Sequence, residues 1–303
     1  MNLRDLHYFV VLAEVMHFGE AAKRCHVSQP TLSMQIKKLE DELGLTLFER
    51  NNKQVMLTEQ GKALVGRVRE ILAQVAEIKE MARAAADPFA GELRLGAIPT
   101  LAPYLLPHVM PKIQTSFPKL RVWLVEDKTH HLIDKLTSGQ LDAALMAIPV
   151  EGEFDKQILF EEPFYFAAAA HSGIKNKTEI QIKELVDQPV MLLEEGHCLR
   201  EQAMSVCRLA KAEIRADFTA TSLETLRLMV QSGIGVTLLP ALAIQNTEPS
   251  NLQVLPFVQP APSRLIALYW RPSTAKLACL KALAQLISSI IKPLLEKMDA
   301  SNA

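Results

Sequence analysis

The chain has 303 residues, enough for two domains with cores of their own, and a formal net charge of −1. With 49% apolar and 22% charged residues it is neither a disordered chain nor a disulfide-dense secreted one. No basic leader with an apolar core opens it and no apolar run is expected to span a bilayer, so a cytoplasmic protein without a membrane partner is predicted.

Residues 1–58 are predicted to form a compact helical domain. Leu3, Leu6, Phe9, Val10 and Ala13 recur at helical spacing. The next stretch, FGEAAKRCHVSQPTLSMQIKKLEDELG, reads as helix, short turn, helix. Leu32, Ile36, Leu39 and Leu43 make one apolar stripe on the second helix, with Ser28 as N-cap, Pro30 in the first turn and Gly44 as terminator. On the opposite face stand Pro30, Thr31, Ser33, Met34, Lys37 and Lys38. Small hydroxyls and lysines on that side suit a helix lying in the DNA major groove. From Ala21 through Leu39 the charged residues are Lys23, Arg24, Lys37 and Lys38, all basic, a local field that favours phosphate. Arg50 and Lys53 fall on a short polar turn between apolar strands, a candidate wing.

After Thr58, a predicted N-cap, a linker helix is expected over 59–88. Leu64, Val68, Ile71, Val75, Ile78 and Ala82 alternate steps of four and three, the seam of a coiled coil that would pair two copies and present two recognition helices to one DNA face. Asp87-Pro88-Phe89-Ala90-Gly91 breaks the helix.

The string AAKRCHVSQPTLSMQIKKLEDELGLTLFER resembles the winged helix-turn-helix of LysR-type transcriptional regulators, and the match covers residues 1–60. The resemblance implies that Gln29, Pro30, Thr31 and Ser33 contact bases or backbone and that Arg50 and Lys53 contact phosphate. It also implies double-stranded promoter DNA with two half-sites as the partner.

From residue 89 strands and helices alternate, which predicts parallel sheets covered by helices. Two α/β lobes with a cleft are expected, one of residues 89–162 and 269–303, the other of 163–268. The arrangement resembles the effector domain of the same family, whose fold is that of type 2 periplasmic binding proteins. By that resemblance Ile98-Pro99-Thr100, Lys128-Thr129-His130 and Thr219-Ala220-Thr221-Ser222 are loops where a small ligand is received. The GxG of SGIGVT precedes a strand and does not open a helix, so no dinucleotide cofactor is predicted.

Four cysteines at positions 25, 198, 207 and 279, without a C-x2-C pair or spaced histidines, predict no metal site. Cys25 and Cys279 read as small core residues. Cys198 and Cys207 sit in EEGHCLREQAMSVCRLA, predicted as a helix. Nine helical steps separate them by about 13.5 Å along the axis and place them on opposite faces. A disulfide needs Cα atoms roughly 4.4–6.8 Å apart, so a bond would require the helix to unwind. Cys198 stands near the predicted N-terminus beside His197 and Arg200, surroundings that favour thiolate, while Met204, Val206 and Leu209 are expected around Cys207. For an arbitrary cytosolic pair at this spacing, burial as small hydrophobes is the commoner reading.

The string EEGHCLREQAM with ATSLETLR and GVTLLPALA resembles the peroxide-sensing members of the LysR family. That resemblance implies that Cys198 is the peroxidatic cysteine and Cys207 the resolving one, with Thr100, Thr129, His197 and Arg264 lining the peroxide pocket. Ser263-Arg264 stands where two basic residues would be expected, which leaves Arg264 alone. The implied function is a cytoplasmic activator of oxidative-stress genes, a homodimer or homotetramer, with hydrogen peroxide as signal, a thiol reductant for reset and RNA polymerase as a partner. It is not expected to be an enzyme, since no separate catalytic apparatus is visible. The alternative is a LysR-type regulator whose cleft binds a metabolite, with the cysteines incidental.

Overall fold

The computed structural model describes residues 1–50, 55–172, 177–186, 188–212, 214–244 and 251–301. Cα packing divides the chain into two compact units, the first of Met1–Ala82 with Thr137–Gln140 and the second of Arg83–Leu136 and Leu141–Ala303.

The first unit contains α1 (Leu3–Val15), α2 (Phe18–Arg24), α3 (Gln29–Leu43), the strand pair β1 (Phe48–Arg50) and β2 (Val55–Leu57), and the start of α4 (Glu59–Ala86). Asn2 caps α1 and shares a capping box with Asp5, which supplies two of the bonds a helix start otherwise lacks. Ser28 caps α3 by accepting from the Thr31 amide, Pro30 lies in the first turn, and Gly44 closes the helix at φ 66°. Leu6, Phe9, Leu12, Leu32, Ile36 and Leu39 are buried together with Leu47 and Phe48. The predicted stripe stops one turn early, because Leu43 is 37% exposed and the chain turns back to insert Leu47 in its place.

The residues of the predicted α4 seam fall on two kinds of surface. Val68 is buried in the core of this first unit and Leu64 packs on it, so the first turns of the seam serve their own domain. Ile71 is 42% and Ile78 67% exposed. The side chain of Ala82 lies outside the described residues.

The second unit runs β3 (Gly91–Ala97), α5 (Ala102–Ser116), β4 (Leu120–Glu126), α6 (Thr129–Thr137), β5 (Ala143–Ala147), β6 (Asp155–Ala169), β7 (Val190–Leu193), α7 (Cys198–Ala210), β8 (Ile214–Ala220), α8 (Leu223–Gln231), β9 (Thr237–Pro240), α9 (Ala241–Ile244), β10 (Leu252–Pro256), β11 (Ser263–Trp270) and α10 (Leu277–Ser301). Seven strands hydrogen-bond in the order β10-β6-β11-β5-β3-β4, with β9 also on β6, and β7 pairs with β8. Among the named strands of the described residues, β3 pairs in parallel with β4 and β5, and β7 with β8, while β6 and β11 pair antiparallel with their neighbours, so the seven-stranded sheet is mixed and not wholly parallel.

Two separate cores define two lobes. One gathers β3, α5, β5, β11 and α10; the other gathers β7, α7, α8 and β9. The 15-residue β6 serves both, with Phe160 in the first core and Phe164 and Phe166 in the second. On β11, Ile266 through Trp270 belong to the first core, so the chain is back in that lobe by residue 266, earlier than the expected 269.

One helix departs from the sequence expectation about membranes. Leu277–Met298 in α10 is long and apolar enough, by length and composition, to cross a bilayer. Its Leu280, Leu283, Ala284, Ile287 and Ile291 are fully buried in the first lobe, which makes it a core helix.

Candidate functional site

In the first unit, α3 presents the residues expected at DNA. Gln29, Pro30, Met34, Lys37 and Lys38 are exposed, and Thr31 and Ser33 are half-buried. Met34, 61% exposed on a helix whose other face is core, presents apolar surface to solvent next to the lysines. The Thr31 hydroxyl is 2.7 Å from that of Ser28, so one predicted contact residue also braces the cap. Of the wing residues, Lys53 lies outside the described residues, as does the side chain of Arg50.

In the second unit, the loop after β7 delivers Cys198 to the first position of α7. Gly196 takes φ 91°, where a side chain would be strained and its Cβ would meet the Lys128 side chain at 3.1 Å. Cys198 is half-buried and packs against the first lobe, although its helix belongs to the second. Thr129, Gly196, His197 and Cys198 share the lining of one open cavity of about 280 Å³. Two helix starts meet there, Thr129 of α6 and Cys198 of α7, and the first backbone amides of a helix have no partner within it.

Two buried polar side chains add to this. The Thr129 hydroxyl is buried without a hydrogen-bond partner, and neither ring nitrogen of His197 closes a bond of normal geometry. His197 is 5% exposed. Burial first, and the Lys128 ammonium second, hold its pKa below the ordinary value, against the Glu194 carboxylate at 3.9 Å and the Thr221 backbone. Of the two contributions expected from His197, a hydrogen-bond donor or a positive charge, this shift favours the donor, since a neutral imidazole can donate or accept. Arg200 is likewise committed elsewhere: its Nη1 donates to the Leu193 carbonyl at 2.6 Å.

Cys207 lies on the far side of α7, 1% exposed within the second core, and burial pushes its thiol up to about 11. Met204 and Val206 belong to the same packing; Leu209, expected there, is 77% exposed. Cys279 is buried and also raised to about 11, and burial raises Cys25.

Thr100 and Arg264 are not among the residues lining this cavity. Arg264 faces Glu162 across the β11–β6 pair and bonds its carboxylate at 2.8 Å, then reaches the Thr100 hydroxyl and carbonyl, each at 3.0 Å. The second Glu162 oxygen accepts the Leu242 amide. This cluster is buried and mutually satisfied at the point where the chain crosses between lobes. Ser263 bonds Glu161. The Thr219–Ser222 loop is likewise used locally, since Ser222 caps α8 by accepting from Thr225.

The sequence reading missed Lys128 as a structural residue. Its ammonium bonds Glu194 at 2.5 Å and the Glu195 carbonyl at 3.2 Å, tying the first lobe to the loop that carries Cys198. That same contact lowers the Glu194 pKa. Glu162 was missed too; its partner is 102 positions away, and nothing local marks it.

Residues 3–62 match the model of the bacterial regulatory helix-turn-helix protein of the lysR family, and residues 86–290 match the LysR substrate binding domain. The chain belongs to the LysR family of bacterial regulators. Within that family it is 44% identical over 305 residues, all of both chains, to a hydrogen peroxide-inducible genes activator of Dickeya chrysanthemi. It is 45% identical over 289 residues, 95% of each chain, to the DNA-binding transcriptional dual regulator OxyR of Escherichia coli K12. A full-length OxyR variant from Pseudomonas aeruginosa superposes with a TM-score of 0.79 at 41% identity, covering 95% of this chain and 94% of that one.

Proposed function

We propose that the protein is a cytoplasmic, DNA-binding transcriptional regulator of the OxyR kind, switched by hydrogen peroxide through a reversible Cys198–Cys207 disulfide. The carrying observation is the placement of these two thiols. They share one unbroken helix, yet one faces a cavity with unpartnered polar groups and the other is sealed in the opposite lobe.

The Cys198 thiolate attacks one peroxide oxygen, the O–O bond breaks, and the departing hydroxide takes up a proton to become water. Cys198 is left as a sulfenic acid. In this reading the Thr129 hydroxyl and the His197 ring, both buried without a partner, hydrogen-bond the peroxide. Cys207 then displaces water from the sulfenic sulfur and forms the disulfide. That step requires α7 to unwind, releasing Leu199, Ala203 and Val206 from the second core. Any burial lost in that step opposes disulfide formation and makes the disulfide more oxidising. A sensor that rests reduced in a cell whose glutathione poise is roughly −220 to −320 mV needs a bias of this sign.

The output is a change in how two or more copies engage promoter half-sites. Exposed Ile71 and Ile78 on α4 are suited to pairing two copies as a dimer, or two dimers as a tetramer, and the outer face of α3 to the major groove. RNA polymerase and a thiol reductant complete the partners. A metabolite-gated cleft is the weaker reading, because it gives no role to the two thiols carried on opposite faces of one helix.

Mass spectrometry of the reduced protein after one equivalent of hydrogen peroxide, with free thiols alkylated before digestion, tests the proposal. A Cys198–Cys207 linked peptide, absent in Cys198→Ser, is expected. Full alkylation of both thiols overturns it.

A further inference from the structure

Resting on that reading of Cys198, we propose that the same cavity also accepts neutral organic hydroperoxides, with the alkyl group held on an apolar wall beyond the thiol. The space is larger than the signal requires. A water occupies about 30 Å³, so hydrogen peroxide with its two oxygens needs roughly 60 Å³, whereas the cavity measures about 280 Å³.

The surplus is lined by chemistry that suits carbon. Ile133 is four residues beyond Thr129 on α6, so both lie on the same helix face, with Ile133 about 6 Å further along the axis. Pro149 and Val150, from the segment after β5, form the third side. A hydroperoxide whose oxygens sit between Cys198, Thr129 and His197 therefore places its carbon skeleton against Ile133 and Val150. Neither of those side chains is fully buried, so apolar surface is left for a ligand to cover.

Charge at the mouth narrows the class. Glu151 and Glu201, both exposed, line the same cavity, Glu201 one turn along α7 from Cys198. Two carboxylates there disfavour a hydroperoxide that carries a carboxylate of its own. Compact neutral hydroperoxides fit best. The chemistry balances as for hydrogen peroxide: the thiolate sulfur bonds the terminal oxygen, the O–O bond breaks, and the alkoxide leaves and is protonated to an alcohol. Cys198 becomes a sulfenic acid.

The experiment uses the reduced full-length protein and follows loss of alkylatable Cys198 with hydrogen peroxide, tert-butyl hydroperoxide and the hydroperoxide of linoleic acid. tert-Butyl hydroperoxide is expected to react within tenfold of the hydrogen peroxide rate, releasing one equivalent of tert-butanol, and the anionic lipid at least a hundredfold more slowly. Val150→Trp, which fills the wall, should lower the tert-butyl to hydrogen peroxide rate ratio at least tenfold, and Ile133→Phe should lower it in the same direction. A wild-type ratio below one tenth overturns the proposal, as does a ratio that neither substitution lowers. A linoleic hydroperoxide as fast as the neutral one overturns the selection by Glu151 and Glu201. If hydrogen peroxide itself leaves Cys198 unreacted, the sensor reading fails first and takes this one with it.

Discussion

Cys198 and Cys207 occupy opposite faces of one continuous helix, the first packed on the core of one lobe and the second enclosed in the core of the other. The helix thus separates the two thiols for as long as it stands. Any bond between them reports that α7 has left its place.

Thiol labelling should follow that geometry. With Cys207 and Cys279 raised to about 11, their thiolate fraction at pH 8 is about one part in a thousand. Iodoacetamide at pH 8 is expected to modify Cys198 at least tenfold faster than either. Equal rates at Cys198 and Cys207, measured by peptide mass spectrometry, would mean that α7 opens without oxidation.

His197 gives the stability a pH dependence. Its folded-state pKa lies below its unfolded value of 6.5, so below about pH 6.5 the unfolded chain binds the proton more readily. Stability from this group is present at neutral pH and declines as pH falls through 6.5 toward the folded pKa. The melting temperature of the wild type should fall more steeply between pH 7.5 and 5.5 than that of His197→Gln. Parallel curves would remove His197 as the cause.

The Arg264–Glu162 pair predicts a large loss on truncation. Both side chains are 0% exposed, and removing one leaves the other charged and buried. Arg264→Leu is expected to cost about 3–5 kcal/mol in chemical denaturation. Restoring neutrality with the double change Arg264→Leu and Glu162→Gln should recover part of that loss. A cost below 1 kcal/mol for the single change would show that water reaches the site.

Lys37 and Lys38 are exposed on the outer face of α3. If Lys37 meets phosphate, Lys37→Ala should weaken binding to specific and unrelated DNA alike and reduce the slope of log affinity against log salt by about 0.9 per protomer. An unchanged slope excludes the contact.

Ile71 and Ile78 leave an apolar stretch on α4 that the first unit does not cover. Ile71→Asp with Ile78→Asp should shift sedimentation toward monomer while the melting of the first unit stays within a few degrees. A dimer that persists would place the contact elsewhere.

Much of the fold was legible because it is locally encoded. Ser28, Pro30 and Gly44 punctuate α3 by their own conformational limits, and each does so where the spacing predicted. The helix around Cys198 and Cys207 was legible for the same reason. The errors share a different cause. Leu43 and Leu64 carry the periodicity of their helices, but periodicity shows only that a residue is apolar, not which surface covers it. In α10 scattered lysines interrupt the apolar run along the chain, while the helical face formed by Leu280, Leu283, Ala284, Ile287 and Ile291 remains continuous.

The sequence by itself determined the helix-turn-helix, the basic outer face of α3 and the presence of two thiols nine positions apart, since these depend on neighbours within a turn or two. Only the tertiary structure decided that Arg264 is held by Glu162 and Thr100 away from the lining of the Cys198 cavity, that Lys128 ties the Cys198 loop to the other lobe, and that His197 is buried and biased toward neutral. Those outcomes depend on charges and hydroxyls that folding brings together from positions 66 and 102 or more residues apart, where no local pattern can record the pairing.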